Sequence, residues 1–236
     1  MRILIRFSKN VEPVPINHQN YINSYIHKCL GSNNKYHDSK NDYCITSLIG
    51  GKLMEDKLNL CFEKGGFIAI TSKNEEFINQ IISGVLKNND LNWGMTFTNF
   101  DFVVEEFLNG WNHFTTLTPF IIKEYSDKKN YKFVTIYDDN FSEIVKNKIV
   151  NKLLKMYPKI DLTDFDVRIN KHDAHKTKKI MVKNVVNIAN KCQIDIYCNK
   201  NVAEKIYNIG IGQSTGSCFG TIYKTENHAK YKWKNE

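Results

Sequence analysis

Two stretches of the chain place apolar pairs four residues apart, and each is framed by short runs of alternating character. Tyr21/Ile22, Tyr25/Ile26 and Cys29/Leu30 make one helical stripe, closed by Gly31, and Phe77/Ile78, Ile81/Ile82 and Val85/Leu86 make a second. Residues 2–7 read as a strand before the first helix, Cys44–Ile49 and Phe67–Thr71 as strands between the helices, and about 93–104 as a strand after the second. The order β-α-β-β-α-β is the split unit in which two helices cover one face of an antiparallel sheet. A second pass begins with a strand at Thr116–Ile122. It continues with a helix at 141–157 ended by Pro158, strands near 164–170, 179–187 and 193–197, a helix at 200–208 and a last strand after a glycine-rich loop. The expected fold class is therefore α+β, two tandem ferredoxin-like domains at 1–112 and 113–236 packed directly on each other.

Charge divides at the same place. Residues 1–118 carry 11 Lys and Arg against 12 Asp and Glu, a net charge of −1, whereas 119–236 carry 22 against 13, a net +9 that brings the whole to +8. Lys171, Lys176, Lys178, Lys179 and Lys183 fall in one segment opposed only by Asp173. Such a patch attracts polyanions and releases counterions on binding, which points to nucleic acid; the plainer reading is a solvated lysine-rich face. Arg2 and Arg6 interrupt the first apolar run and no later run reaches membrane-spanning length, so a cytoplasmic protein without membrane attachment is expected. Six cysteines without a Cys-x-x-Cys pair suit reduced, mostly buried thiols, and no metal or cofactor is expected.

The stretch Gly210–Gly220 is dense enough in glycine for its backbone to approach a phosphate closely. It is neither a dinucleotide fingerprint, because its third glycine comes one position late, nor an NTPase phosphate loop, because no Gly-Lys-Ser/Thr follows. A connecting loop between a helix and a terminal strand is the alternative.

Tandem units of this kind with a glycine loop before the last strand resemble the repeat-associated mystery protein superfamily, and within it the Cas6 family of CRISPR RNA-processing endoribonucleases. The resemblance spans nearly the whole chain. It rests on Met1-Arg2-Ile3-Leu4-Ile5-Arg6, Asn17-His18-Gln19-Asn20-Tyr21, His37-Asp38 followed by Ile45-Thr46-Ser47-Leu48, Leu117-Thr118-Pro119-Phe120, and the loop itself. The family loop reads Gly-hydrophobic-Gly, five residues, Gly-hydrophobic-Gly; here Gly210-Ile211-Gly212 is followed after five residues by Cys218-Phe219-Gly220, with one glycine replaced by cysteine.

The resemblance implies metal-independent cleavage of precursor CRISPR RNA within the repeat. RNA carries its own nucleophile, so a protein need only deprotonate the 2′-OH, stabilise the phosphorane and protonate the departing 5′-oxygen. The products would be a 2′,3′-cyclic phosphate and a free 5′-OH. His37 stands where the family carries its catalytic histidine, and imidazole can act as acid or base near neutrality. His27 stands where some members place a catalytic tyrosine, off the apolar stripe of its helix, and could pair with His37. Lys40 is the candidate for stabilising the phosphorane, with Lys52 in reserve. Arg168, Lys171, Lys176, Lys178, Lys179 and Lys183 would grip the RNA backbone, and Gly210, Gly212 and Gly220 would let the loop approach it. The partners implied are the precursor repeat and other Cas proteins of an interference complex, with the chain a monomer or homodimer.

Other readings remain open. His113-Phe114-Thr115 and His175-Lys176-Thr177 are two His-x-Thr triplets, the mark of 2H phosphoesterases, although lysines flank the second where apolar residues belong. His172-Asp173-Ala174-His175 could suggest a metal pair but lacks a third ligand. A non-catalytic guide-RNA-binding module is the alternative of a different class.

Overall fold

The structure is a computed structural model that describes residues 1–31, 34–36, 42–127, 130–169 and 176–225. Its first sheet is formed by β1 (Arg2–Phe7), β3 (Tyr43–Ile45), β6 (Gly66–Ser72) and β7 (Phe97–Val103), in the order β3-β6-β1-β7. All neighbours are antiparallel: Ile3 pairs with Ile70 on one side and Phe102 on the other. Helices α1 (Gln19–Leu30) and α2 (Glu75–Lys87) cover one face, where Ile3, Ile5, Ile22, Ile26, Ile68, Ile70, Phe77 and Ile81 make a closed core. The helices approach closely because Gly84 has no side chain; a Cβ there would stand 2.0 Å from the Cys29 carbonyl oxygen. Asn74 caps α2 by accepting from the Phe77 amide, as an Asx residue at a helix start does. A small sheet of β2 (Val14–Pro15), β4 (Lys52–Leu53) and β5 (Asn59–Cys61) lies beside this unit.

The second sheet repeats the pattern with β8 (Gly110–Thr116), β11 (Asp166–Arg168), β14 (Gln193–Cys198) and β15 (Ile222–Lys224), ordered β11-β14-β8-β15. Helices α3 (Phe141–Met156) and α4 (Lys200–Ile209) close its core around Phe114, Val145, Leu153, Ile194, Ile196 and Ile206. Both sheets have the same strand order, and the fold is a tandem ferredoxin-like α+β fold. Two hairpins are added to the second unit: β9 (Lys123–Tyr125) with β10 (Tyr131–Phe133), and β12 (Lys176–Val182) with β13 (Val185–Lys191).

Three segments differ from expectation. The second unit opens at β8, seven residues that all belong to its sheet, so a division at 112/113 falls inside a strand. Leu117–Ile122 is not a strand; Pro119 interrupts it, and Phe120 and Ile121 make single bridges to Asn190 and Gln213. The run 179–187 is two strands turning at Lys183, which takes a positive φ of 45°.

The units meet through α4 and the loop after it. Arg2 is buried, donates from Nε to Thr71 Oγ1 (2.8 Å), bonds the Ile222 carbonyl, and stacks 4.0 Å from the Tyr207 ring of α4. All six cysteines are free thiols, five of them buried, and no helix among the described residues is long and apolar enough to cross a membrane.

Candidate RNA-processing site

Helix α1 is fixed on one side by α2, since Tyr25 donates its hydroxyl to the Asn88 carbonyl at 2.8 Å and Cys29 packs on Gly84. His27 occupies the opposite flank in the last helical turn, half-buried. The chain then passes Gly31 to Tyr36, which is buried with its ring 4.9 Å from Phe77. After residues 37–41 it resumes at Asp42 and at Tyr43, stacked 4.3 Å from the same Phe77 ring. Both ends of the segment are thus held against one aromatic side chain of α2. His37 and Lys40 themselves lie outside the described residues. Lys52 is exposed on β4, 3.9 Å from Glu63.

The glycine loop is packed against protein on most of its length. Gly210, Gly212 and Gly220 all have positive φ, near 70°, and a Cβ on Gly220 would stand 1.9 Å from the Ile211 carbonyl oxygen, one on Gly212 2.5 Å from that of Ile121. Close backbone approach is therefore made to the chain itself. Gly210 and Gly220 are buried, whereas Gly212, Gln213, Ser214 and Ser217 reach solvent. Cys218 keeps a left-handed backbone (φ 69°) where the glycine pattern is broken, with its buried Sγ 3.8 Å from the Gln19 carbonyl of α1.

Lys152 of α3 holds this loop, and the sequence reading passed over it. Its side chain is half-buried with the head group turned inward, where Nζ donates to the carbonyls of Ile209 (2.8 Å), Gly210 (3.3 Å) and Gly212 (3.4 Å) and to Thr215 Oγ1 (3.3 Å). Thr215 in turn donates to the Tyr43 carbonyl at 3.3 Å, so α3, the loop and β3 are joined in one network. Desolvation pushes the Lys152 pKa down to about 8 from 10.5. Between those values the unfolded chain binds the extra proton, so stability gains with rising pH across that window. The melting temperature of the wild type should rise relative to Lys152→Met from pH 8 to pH 10; parallel curves would show that this ammonium does not titrate there.

The second sheet turns a polar and aromatic face away from its helices. Arg168, Asp195 and His113 lie in register across β11, β14 and β8, followed along the strands by Asp166, Tyr197 and Trp111, and on the other side by Gln193, Thr115 and Tyr223. Asp195 fixes His113 through a 2.6 Å contact to Nδ1, and the Arg168 guanidinium lies 4.3 Å over the Trp111 ring. The basic hairpin begins at this face: Lys191 ends β13 two residues before Gln193 and pairs across the hairpin with Lys176. Partial burial and the charges of Lys178 and Lys176 push the Lys191 pKa down to about 8, and burial with the Lys176 charge lowers that of Lys178. Like charges held together raise the local potential, which a phosphate lowers. Lys179 projects from the other side of β12 and Lys183 from the turn, both exposed, and Lys191 joins the cluster unanticipated. Lys171, His172 and His175 lie outside the described residues; the first His-x-Thr triplet is on β8, with its histidine engaged by Asp195. Among the described residues no three metal-ligating side chains gather.

Comparison with known proteins gives this geometry a family. No curated protein sequence matches the chain. Among solved structures, a Cas6-related protein from Pyrococcus furiosus superposes with a TM-score of 0.83 at 19% identity, covering 96% of this chain and 99% of that one. A RAMP protein described as binding different RNA substrates gives 0.82 at 18%, covering 96% and 100%. A Cas6 in a product complex gives 0.68 at 10%, covering 95% and 99%. These likenesses carry the fold. The family model for the C-terminal region of CRISPR-associated protein Cas6 matches residues 102–223, from the end of β7 through β15, and so takes in the hairpin, the open sheet face and the glycine loop. By that match over more than half of its length, the chain belongs to the Cas6 family of CRISPR-associated proteins.

Proposed function

We propose that this protein binds the repeat of precursor CRISPR RNA and cuts it without metal, through attack of a 2′-OH on the adjacent phosphate, leaving a 2′,3′-cyclic phosphate and a 5′-OH. Family membership supports CRISPR RNA processing or binding; the cutting step is our reading of the residues. The observation that carries it is the combination, in one chain, of a clustered-lysine hairpin with a half-buried histidine at the end of α1, next in the chain to the segment bearing His37. Lys176, Lys178, Lys179 and Lys191, with Lys171 and Lys183, hold phosphates. Trp111, Tyr197 and Tyr223 on the open sheet face offer rings for unpaired bases. His27 and His37 exchange the protons, and Lys40 steadies the phosphorane. The two units divide, on this reading, in the segment 104–109 between β7 and β8.

Incubation with repeat RNA in EDTA, beside the same RNA carrying a 2′-deoxy sugar at the scissile nucleotide, tests the chemistry. Cutting should persist in EDTA and stop with the deoxy substrate. Tight binding of the repeat without any cutting would instead identify a guide-RNA-binding module.

A further inference from the structure

The two added hairpins share one surface. On β12 and β13 the pairs Lys176/Lys191, Lys178/Ala189, Ile180/Asn187 and Val182/Val185 follow one another along the same side, so the lysine cluster runs on into an apolar patch. There Ile180 and Val182 pack, together with Phe133 of β10, on a small core of Ile121, Ala189 and Phe219. In the other hairpin Phe133 pairs with Lys123, and Tyr131 with Tyr125 two residues further along the same side. The side that bears the lysines therefore leads through Phe133 to a pair of tyrosines. Tyr125 is 54% exposed and Tyr131 38%, and their rings stand 5.5 Å apart, tilted by 54°, so neither covers the other. Lys123 Nζ lies 3.9 Å over the Tyr131 ring and 5.2 Å from that of Phe133, which places a positive charge between them. The Ser126 amide, bonded to the Asn130 carbonyl at 3.1 Å, and the Asn130 amide, bonded to Asp127 at 2.8 Å, close the hairpin beyond the tyrosines. The rings border an open groove of about 670 Å³ that reaches Lys132 and, on α3, Lys148. Among the described residues lining it Glu124 is the one acid, and Lys132 pairs with it at 3.0 Å.

We propose that Tyr125 and Tyr131 form a stacking site for an unpaired base of the RNA strand whose phosphates lie on Lys176, Lys178 and Lys191. The inference rests on the RNA-binding half of the reading above and not on the cutting step. Every base has a flat π face, so an exposed ring held on a closed hairpin takes single strands of any sequence. A duplex keeps its bases stacked on one another and offers none. Aromatic rings interleaved with lysines, and continuous with a lysine cluster, suit a polyanion carrying flat bases better than a protein partner. The β9–β10 hairpin thereby lengthens the RNA track with a contact that neutralises no phosphate.

The test uses the full chain, repeat RNA carrying a 2′-deoxy sugar at the scissile nucleotide, and a blunt RNA duplex of the same length. Tyr125→Ala and Tyr131→Ala should each weaken binding of the repeat about tenfold, whereas Tyr131→Phe, which keeps the ring, should bind like the wild type. Duplex binding should be the same in all of them, and so should the slope of log Kd against log salt for the repeat, because no phosphate contact is lost. Irradiating the wild type with repeat RNA that contains 4-thiouridine should crosslink the RNA to the peptide holding Tyr125 or Tyr131, a readout that needs no variant to fold. Equal affinity across the variants with no crosslink on this hairpin overturns the proposal and leaves the rings to a protein partner, while the RNA-binding reading stands on the wild-type affinity. An equal loss on the duplex also overturns it. A wild type that binds no repeat RNA overturns both readings, whereas tyrosine-dependent binding without cutting of the all-ribose repeat refutes the cleavage step and supports the stacking site.

Discussion

Replacing either His37 or His27 by alanine should lower the single-turnover rate of repeat cleavage by about 10²–10⁴-fold, the usual contribution of a positioned acid or base, while leaving RNA affinity within about twofold. The reason lies in the separation of roles. On the proposed reading the lysines of β12 and β13 and the outer face of the second sheet would supply affinity, whereas His27 sits at the end of α1 in the first unit. If the two imidazoles act as acid and base in one step, the double variant should be little slower than the poorer single one, because groups that work as a unit are not additive. His113→Ala is the contrasting control. Its imidazole is oriented by Asp195 on the second sheet, an arrangement that by itself could suggest a general base. Loss of cutting in His113→Ala with His37→Ala unaffected would move the chemistry to that sheet and favour the 2H reading. Binding by all variants with no cutting by the wild type would remove the enzyme altogether.

The helices were readable because a 3.6-residue period leaves paired apolar positions that survive surrounding noise, and all four were located to within about two residues of their ends. Strands were harder where the period was disturbed. In β8 the inward position 112 is an asparagine, buried and bonded to the Leu108 and Gly110 carbonyls, so its alternation is broken by a satisfied polar residue. The neighbouring Leu117–Ile122 looks more apolar than β8 and is not a strand. The hairpin turn at Lys183 carries no glycine, and the signal usually used to find such a turn was missing. Of the site, His27 could be placed off the apolar stripe of α1 from the helix period alone, and it is half-buried there. Lys152 was visible as an anomaly, a lysine three residues after buried Ile149 and seven after buried Val145 on the core face of α3, yet only coordinates reveal the carbonyls it meets. Lys191 was separated in sequence from the other lysines, and a hairpin register was needed to bring it beside Lys176. The glycine loop admits both a phosphate-approaching and a connecting reading from its sequence, and in the structure two of the three glycines singled out there are buried and all three face protein atoms.

That last point makes Gly220 the most sensitive position in the loop. Gly220→Ala should cost about 2–5 kcal/mol and lower the melting temperature by roughly 10 °C, since it combines a left-handed backbone with a Cβ placed 1.9 Å from the Ile211 carbonyl oxygen. The carbonyl cannot swing aside freely, because the Ile211 amide is itself bonded to the Gly220 carbonyl at 2.8 Å and the Gly220 amide to that of Pro119 at 3.0 Å. Cys218→Gly should behave differently. Cysteine at φ 69° bears about 1 kcal/mol of backbone strain that glycine relieves, and glycine forfeits a buried thiol of similar worth, so the two effects should nearly cancel. Cys218→Ala keeps the strain and loses the sulfur contact with α1, and should fall between the two. Thermal unfolding of the three variants side by side reads the order directly. A Gly220→Ala protein as stable as the wild type would mean that the loop relaxes away from Ile211, and that the joint it makes between α3, α1 and β3 is looser than its hydrogen bonds imply.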